Sequence, residues 1–484
     1  MVFSSLLFIS VFLPVVLIFY WILPGILSRN ILLLIASLCF YAYGEPVYVF
    51  LMIVTAVLNY IWARLIVRFP GGKRAILVIA VLQNLGVLAV FKYAGFLAGL
   101  WNGLGIVTVP VPEIALPIGI SFFTFQALSY VIDVYRGDAK EERNVFRLVL
   151  YVSFFPQLIA GPIVKYHDVE KELRDRTLTL DGTLLGIRRF VIGLAKKVLI
   201  ANYMGAIADT LFAASGSELN ILAAWLGAIA YMLQIYFDFG GYSDMAIGLG
   251  WMFGFHFKEN FRYPYIASSM KGFWRRWHIS LSTWFREYLY IPLGGNRKGK
   301  LRTGINKVIV FACTGIWHGA NLTFLFWGLY HGFFLLMEEW LPGWRAAFRT
   351  SGVSGKSSME KTGEKQKEGF AWNMLRHIYV LLAVLIGFVF FRADTLAQGF
   401  FWVKTMFTGF TFDNASMRLV MSELTPLNLT ALAAGILASM PVAQGLKEKR
   451  VCQIASWPLT LVLLVLCMLC LAGGTYNPFI YFRF

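Results

Sequence analysis

Six histidines are where chemistry is most readily sought in this chain: His167, His256, His278, His318, His331 and His377. His318 stands apart. It lies within residues 308–336, a stretch with no Asp, Glu, Lys or Arg, and an ionisable side chain in such surroundings is by default a functional candidate. The local sequence is Cys313-Thr-Gly-Ile-Trp-His-Gly-Ala-Asn321, so Trp317 adjoins it and Gly315 and Gly319 flank it, allowing close approach of backbone or ligand. On a continuous helix Thr314 at i−4 and Asn321 at i+3 share its face and can orient the imidazole. A histidine near neutral pKa accepts a proton from a hydroxyl nucleophile. Residue type alone leaves two readings open: this general base, or a buried histidine that bonds a neighbouring helix. His331 falls thirteen residues on, nearly opposite on an uninterrupted helix, and reads as structural. His167 and His377 sit beside charged residues at segment ends and read as interfacial.

Acids also occur in apolar surroundings. Asp133 lies near the end of residues 122–134, and Gln234, Asp238 and Asp244 lie in a second such run. Gln234 and Asp238 are four residues apart and share a helical face, before Gly240-Gly241 allows a break. They either bond a catalytic histidine or line a tunnel, or else pair with cytoplasmic Arg residues and fix helix packing. Other chemistries lack their motifs. There is no Gly-x-Ser-x-Gly elbow for a serine acyl-enzyme, no His-Glu-x-x-His zinc pattern, no phosphate-cradling glycine motif and no aromatic-basic nucleic-acid module. Of five cysteines, Cys467 and Cys470 have Cys-x-x-Cys spacing, but they lie in an apolar run with no second such pair, so neither a metal site nor a disulfide framework is expected.

The elements that position these residues follow from composition. The chain has 484 residues, 58% hydrophobic and 14% charged, well below the quarter or so that is charged in soluble domains. A helix needs about 20 apolar residues to cross a bilayer, and long continuous runs recur at residues 48–67, 75–96, 221–237, 371–391 and 459–472. The expected fold is therefore all-α and polytopic, with ten to twelve membrane segments, some of them half-helices. The first run, residues 4–23, lacks a basic leader and a small-residue cleavage site, and reads as a retained helix rather than a signal peptide.

The net charge of +17 points to positive-inside topology and anionic lipid rather than nucleic acid. Basic residues cluster between Arg64 and Arg74 and between Arg136 and Arg147, while residues 101–116 carry none. This places the N-terminus outside and those clusters in the cytoplasm. Residues 148–164 are apolar yet basic on both flanks, which calls for a re-entrant pair of half-helices broken near Pro156 or Gly161-Pro162. Such breaks are tolerated only where buried in protein or lining a cavity.

The longest basic region, residues 258–302, holds ten Lys or Arg against two Glu. Within it Trp274, Trp277, Leu281, Trp284 and Tyr288 recur at three- and four-residue steps, so residues 271–289 read as one amphipathic helix on the cytoplasmic surface, with His278 near the boundary of its two faces. Residues 342–369 read as a polar linker.

The run Phe273-Trp-Arg-Arg-Trp-His-Ile-Ser-Leu-Ser-Thr-Trp-Phe-Arg-Glu-Tyr-Leu-Tyr-Ile-Pro-Leu-Gly-Gly-Asn296, followed by Trp317-His-Gly319, resembles the membrane-bound O-acyltransferase superfamily and, within it, the bacterial alginate O-acetylation branch. The stretches 236–248 and 155–162 and the opening Met1-Val-Phe-Ser-Ser are similar to that branch too. The resemblance spans most of the chain, read as a single domain over residues 1–484. It implies that His318 is catalytic, that His278 is its companion, and that membrane helices surround a central tunnel.

On that reading acetyl-CoA approaches from the cytoplasm, no cofactor or metal is bound, and basic residues such as Arg275, Arg276 and Arg286 attract the donor's phosphates. His318 acts as base, and His278 stabilises the oxyanion or holds a reactant. The implied partners are membrane lipids, an extracytoplasmic acetyltransferase and polysaccharide-pathway proteins, at a bacterial plasma membrane. Two rivals are D-alanyl transfer to teichoic acid and a proton-coupled transporter. The ending Ile291-Pro-Leu-Gly-Gly-Asn296 favours the alginate-like branch, and the repeated halves common in transporters are not apparent.

Overall fold

The computed structural model describes residues 1–105, 108–214, 216, 218–341, 370–443, 450–474 and 476–478. The expected linker at 342–369 lies outside the described residues. Among the described residues, the regular elements are all helices and no strand occurs. Among the described residues seven helices are long and apolar enough to cross a membrane, or eight if the bent pair Asn414–Glu423 and Pro426–Ala438 counts as one span. The all-α polytopic expectation holds. The expected ten to twelve membrane segments included half-helices, and several apolar runs do fold as short pieces, Phe8–Ile22 and Val145–Ser153 among them.

The chain divides into two compact units. The first comprises Met1–Asn202, Ile235–Glu259 and Lys449–Phe484. Within it, the Leu180–Ala195 helix crosses the second part of the Ile221–Met252 helix, backbone against backbone. A Cβ added at Gly186 would stand 2.5 Å from the Gly248 carbonyl oxygen, and one at Gly193 2.5 Å from that of Gly241. Matched seven-residue spacings of glycine on the two helices permit this crossing, as small residues do between membrane helices.

The segment expected to be broken is broken. The Val145–Ser153 helix ends at Phe154, whose ψ of 110° leaves the helical region just before Pro156. A four-residue helix, Phe155–Leu158, follows, and Gly161 then turns the chain with φ +111°. Every residue from 148 to 166 is buried. The freed backbone groups find partners inside the protein, as the Val164 carbonyl does in accepting a 2.8 Å bond from the Tyr151 hydroxyl.

The second unit comprises Tyr203–Gln234 and Asn260–Glu448. Its centre is an antiparallel hairpin of the helices Gly299–His318 and Leu322–Trp340. Gly315 and Gly328 let the two axes touch: an added Cβ would fall 2.3 Å from the Phe324 carbonyl oxygen and 2.2 Å from that of Phe311, respectively.

Residues 271–289 do not form the single surface helix that their periodicity suggests. They fold as Met270–Trp274, a turn, Ile279–Phe285 and a π-helical turn Arg286–Tyr290. The cause is tertiary. The turn gives up helical hydrogen bonds to pair with residues 260–262, where Arg262 N–H donates to the Arg276 carbonyl and Ile279 N–H to the Asn260 carbonyl, both at 2.9 Å. The aromatic face is also buried rather than laid on a surface. Trp274 packs on Phe311 and Trp327, and Trp277 on Phe261, Phe273 and Phe388. The periodicity marks a real face, but that face packs against protein.

Candidate active site

His318 is the last residue of the Gly299–His318 helix. Gly319 continues in extended backbone (φ −170°), and Asn321 begins the next helix by accepting from Thr323 N–H at 3.1 Å. This corrects the expectation that Asn321 shares a helical face with the imidazole. Its side-chain amide donates instead to the Asp394 carbonyl, at 2.8 Å. Thr314 remains one helical turn before His318, with its hydroxyl bonded to the Val310 carbonyl at 2.8 Å. His318 itself is 7% exposed in an aromatic enclosure. Ring centroids of Trp317, Trp327 and Phe391 lie 5.0, 5.2 and 5.0 Å from its own.

The structure brings His278 to this place. Its ring centroid is 6.4 Å from that of His318 and 6.0 Å from that of Trp317. It is 1% exposed, not at the edge of a wet face, and burial pushes its imidazole down to about 3, so the ring is neutral at physiological pH. Its backbone is left-handed (φ 43°, ψ 55°), a conformation that is uncommon outside glycine and that clusters at functional sites. Tyr263, at φ 47° before Pro264, is the other described non-glycine residue in that region. Met270–Trp274, just before His278, is fixed from the hairpin: Glu338 accepts from Met270 N–H at 2.6 Å and from Lys271 N–H at 3.3 Å.

Two further buried residues stand close to the pair, of which Asn260 was not legible in advance. Asn260 is fully buried, and its Oδ1 lies 3.3 Å from His278 Nδ1 while accepting from Ser280 N–H at 3.1 Å and Ser280 Oγ at 2.9 Å. Nothing local in the sequence marks this asparagine, which acts across eighteen residues. His331 is fully buried and, because the helix stops at His318, the argument that sets it on an opposite face of one continuous helix lapses. Trp327 stands between the two imidazoles, its centroid 5.2 Å from His318 and 4.9 Å from His331.

The remaining candidates divide. Arg275 and Arg286 are exposed and Arg276 partly so. Arg276 donates to the Arg262 carbonyl at 3.1 Å, and Arg286 pairs with Glu287 at 3.1 Å. Gln234 is buried within the second unit. Asp238 and Asp244 fall in the first unit, where basic residues engage them. Lys197 lies 2.8 Å from Asp238, while Arg189 at 2.7 Å and Lys196 at 2.6 Å hold Asp244. Arg189 also bonds Glu259 at 2.6 Å. The Asp244 carboxyl is thus held by two cations in an ion-pair network that extends to Glu259, the packing arrangement that the sequence left open.

Two buried imidazoles in an aromatic enclosure suit proton transfer to and from a reacting oxygen or sulfur, with water largely kept out. A family model described as the membrane-bound O-acyltransferase family matches residues 139–355, which include both histidines. The probable alginate O-acetylase of Pseudomonas aeruginosa is 43% identical over 90% of this chain and 79% of its own length. Its counterpart in Pseudomonas putida is 38% identical over 100% of each chain. The chain belongs to the membrane-bound O-acyltransferase family. The peptidoglycan O-acetyltransferase of Helicobacter pylori is similar as well, at 39% identity over 70% of each chain. This membrane-bound O-acyltransferase is a multi-pass membrane O-acetyltransferase, and the transporter reading falls away.

Proposed function

We propose that this enzyme takes acetyl from acetyl-CoA on the cytoplasmic side of a bacterial plasma membrane and passes it outward for O-acetylation of an exopolysaccharide, alginate or a polymer like it. The observation that carries the reading is the buried pair His278 and His318, in a chain similar over its full length to an alginate O-acetylase. In the reaction the acceptor oxygen attacks the thioester carbonyl. The new C–O bond forms, the C–S bond breaks, and the hydroxyl proton passes to the His318 imidazole and from there to the departing CoA thiolate. His278 holds a reactant against the reacting carbon. The exposed Arg275 and Arg286 meet the phosphates of CoA, to which cationic surfaces attract anions. An extracytoplasmic acetyltransferase receives the acetyl group and places it on the polymer.

Acetyl-labelled acetyl-CoA supplied to the purified enzyme in micelles tests this. CoA release should fall by about 1000-fold in His318→Ala, with the thermal melt unchanged. A fully active His318→Ala enzyme overturns the assignment of the base. Turnover with an acylated carrier protein but none with acetyl-CoA overturns the donor.

A further inference from the structure

The identity of the atom facing His278 Nδ1 decides which way that imidazole works. Ser280 N–H is a donor under all conditions, and the atom of Asn260 that it meets at 3.1 Å must therefore be the amide oxygen. The Ser280 hydroxyl meets the same oxygen at 2.9 Å. An oxygen already accepting from two groups offers His278 Nδ1 only another acceptor site, so Nδ1 carries the proton and donates at 3.3 Å. In a neutral ring the lone pair then resides on Nε2.

The backbone of the same asparagine has a second task. Its carbonyl accepts from Ile279 N–H at 2.9 Å, directly after the left-handed His278. A left-handed non-glycine residue is strained and persists only where its surroundings over-determine it. Asn260 supplies that over-determination from both its carbonyls, which engage the ring of His278 itself and the two residues that follow it.

We propose that Asn260 is a positioning residue for the transfer reaction: it fixes His278 in the tautomer with the proton on Nδ1 and the lone pair on Nε2, and it clamps the left-handed turn that aims the ring. The proposal rests on the reading of His278 as a reactant-holding residue and sharpens it. With Nδ1 committed to Asn260, neutral His278 has no second N–H to offer an oxyanion. It accepts a hydrogen bond from a hydroxyl or amide of the reactants, and stabilisation of the oxyanion by this ring is excluded. His318 faces it, with ring centroids 6.4 Å apart, and the uncharged rings of Phe261 and Trp317 also pack against it.

Four variants in the purified full-length enzyme test the proposal, with acetyl-CoA turnover measured against pH. Asn260→Ala frees the tautomer and should lower kcat by about 100-fold with little change in KM. Asn260→Asp keeps an acceptor at the same place. It should recover kcat to within about tenfold of the parent, with the acid limb of the pH profile moved upward, since a carboxylate beside an imidazole raises its pKa by roughly one to three units. Ser280→Ala removes one bond to the same oxygen without touching the ring, and should retain parental kcat. His278→Ala separates the two levels of the argument. If it is inactive while Asn260→Ala turns over normally, the positioning role is wrong and the reading of His278 stands. If His278→Ala is itself fully active, the underlying reading fails. Equal losses in Asn260→Ala, Asn260→Asp and Ser280→Ala, with an unmoved pH profile, would show that Asn260 merely holds the loop together and would overturn the proposal.

Discussion

The imidazoles of His278 and His318 face each other with centroids 6.4 Å apart and planes inclined by 62°. This separation is too long for the rings to bond each other directly, but it is short enough for one reacting group to touch both. Residues that serve one reacting group lose activity as a unit. His278→Ala and His318→Ala should each abolish most CoA release, and the double variant should be no slower than His318→Ala alone. A double variant slower by the product of the two single losses would show that the histidines act at separate steps.

The position of His318 depends on the close crossing behind it. Gly315, one turn before, meets the Phe324 carbonyl with no room for a Cβ, and the neighbouring atoms are backbone that cannot swing away. Gly315→Ala should therefore force the hairpin apart. Overpacking of this kind costs about 1–3 kcal/mol, read as a lower melting temperature in micelles together with a loss of turnover. Gly99→Ala has open space around its Cβ and should leave both unchanged. Parental melting and turnover in Gly315→Ala would contradict the crossing.

His318 was legible because it is an ionisable residue in a long uncharged run. The end of its helix was legible too, since Gly319 and Asn321 are ordinary stop and start residues, but the uninterrupted apolar run outweighed them. The 271–289 segment shows a different limit. Periodicity identifies which side chains share a face and does not say whether lipid or protein covers it. The break at His278 depends on Asn260, and the partner of Asp238 on a helix crossing at Gly193 and Gly241. Both are contacts between segments distant in sequence, which local pattern does not encode.

His167 gives the fold a dependence on pH. Its Nδ1 lies 2.7 Å from Asp133 and its Nε2 3.2 Å from Asp168. Hydrogen bonds to Asp133 first, and then to Asp168, lift its pKa to about 9. A histidine whose folded pKa is raised contributes stability that is complete below the unfolded value of about 6.5 and is lost as pH climbs through the folded one. The ring is partly exposed, so solvent screening reduces the effect to about 1 kcal/mol. The melting temperature should therefore decline between roughly pH 6.5 and 9, and His167→Gln should flatten that decline. An equal slope in the variant would assign it to other groups.

Lys197 and Asp238 form a 2.8 Å ion pair, 3% and 1% exposed, within two of the helices apolar enough to cross the membrane. The Lys197 ammonium also donates to the Pro478 carbonyl. Burying two charges is expensive, and their attraction repays it only while both are present. Removing one leaves the other stranded, at a cost of about 3–5 kcal/mol. Asp238→Asn and Lys197→Met should each lower the melting temperature sharply. The Lys197→Met, Asp238→Leu double variant fills the site with apolar volume and should recover most of that loss, which a double-mutant cycle in micelles measures. The two single losses should not add, because after the first substitution the second removes a charge that is already stranded. Additive losses would show that each side chain finds its stabilising partners elsewhere, and that the pair does not hold the Leu180–Ala195 region against the helix carrying Asp238.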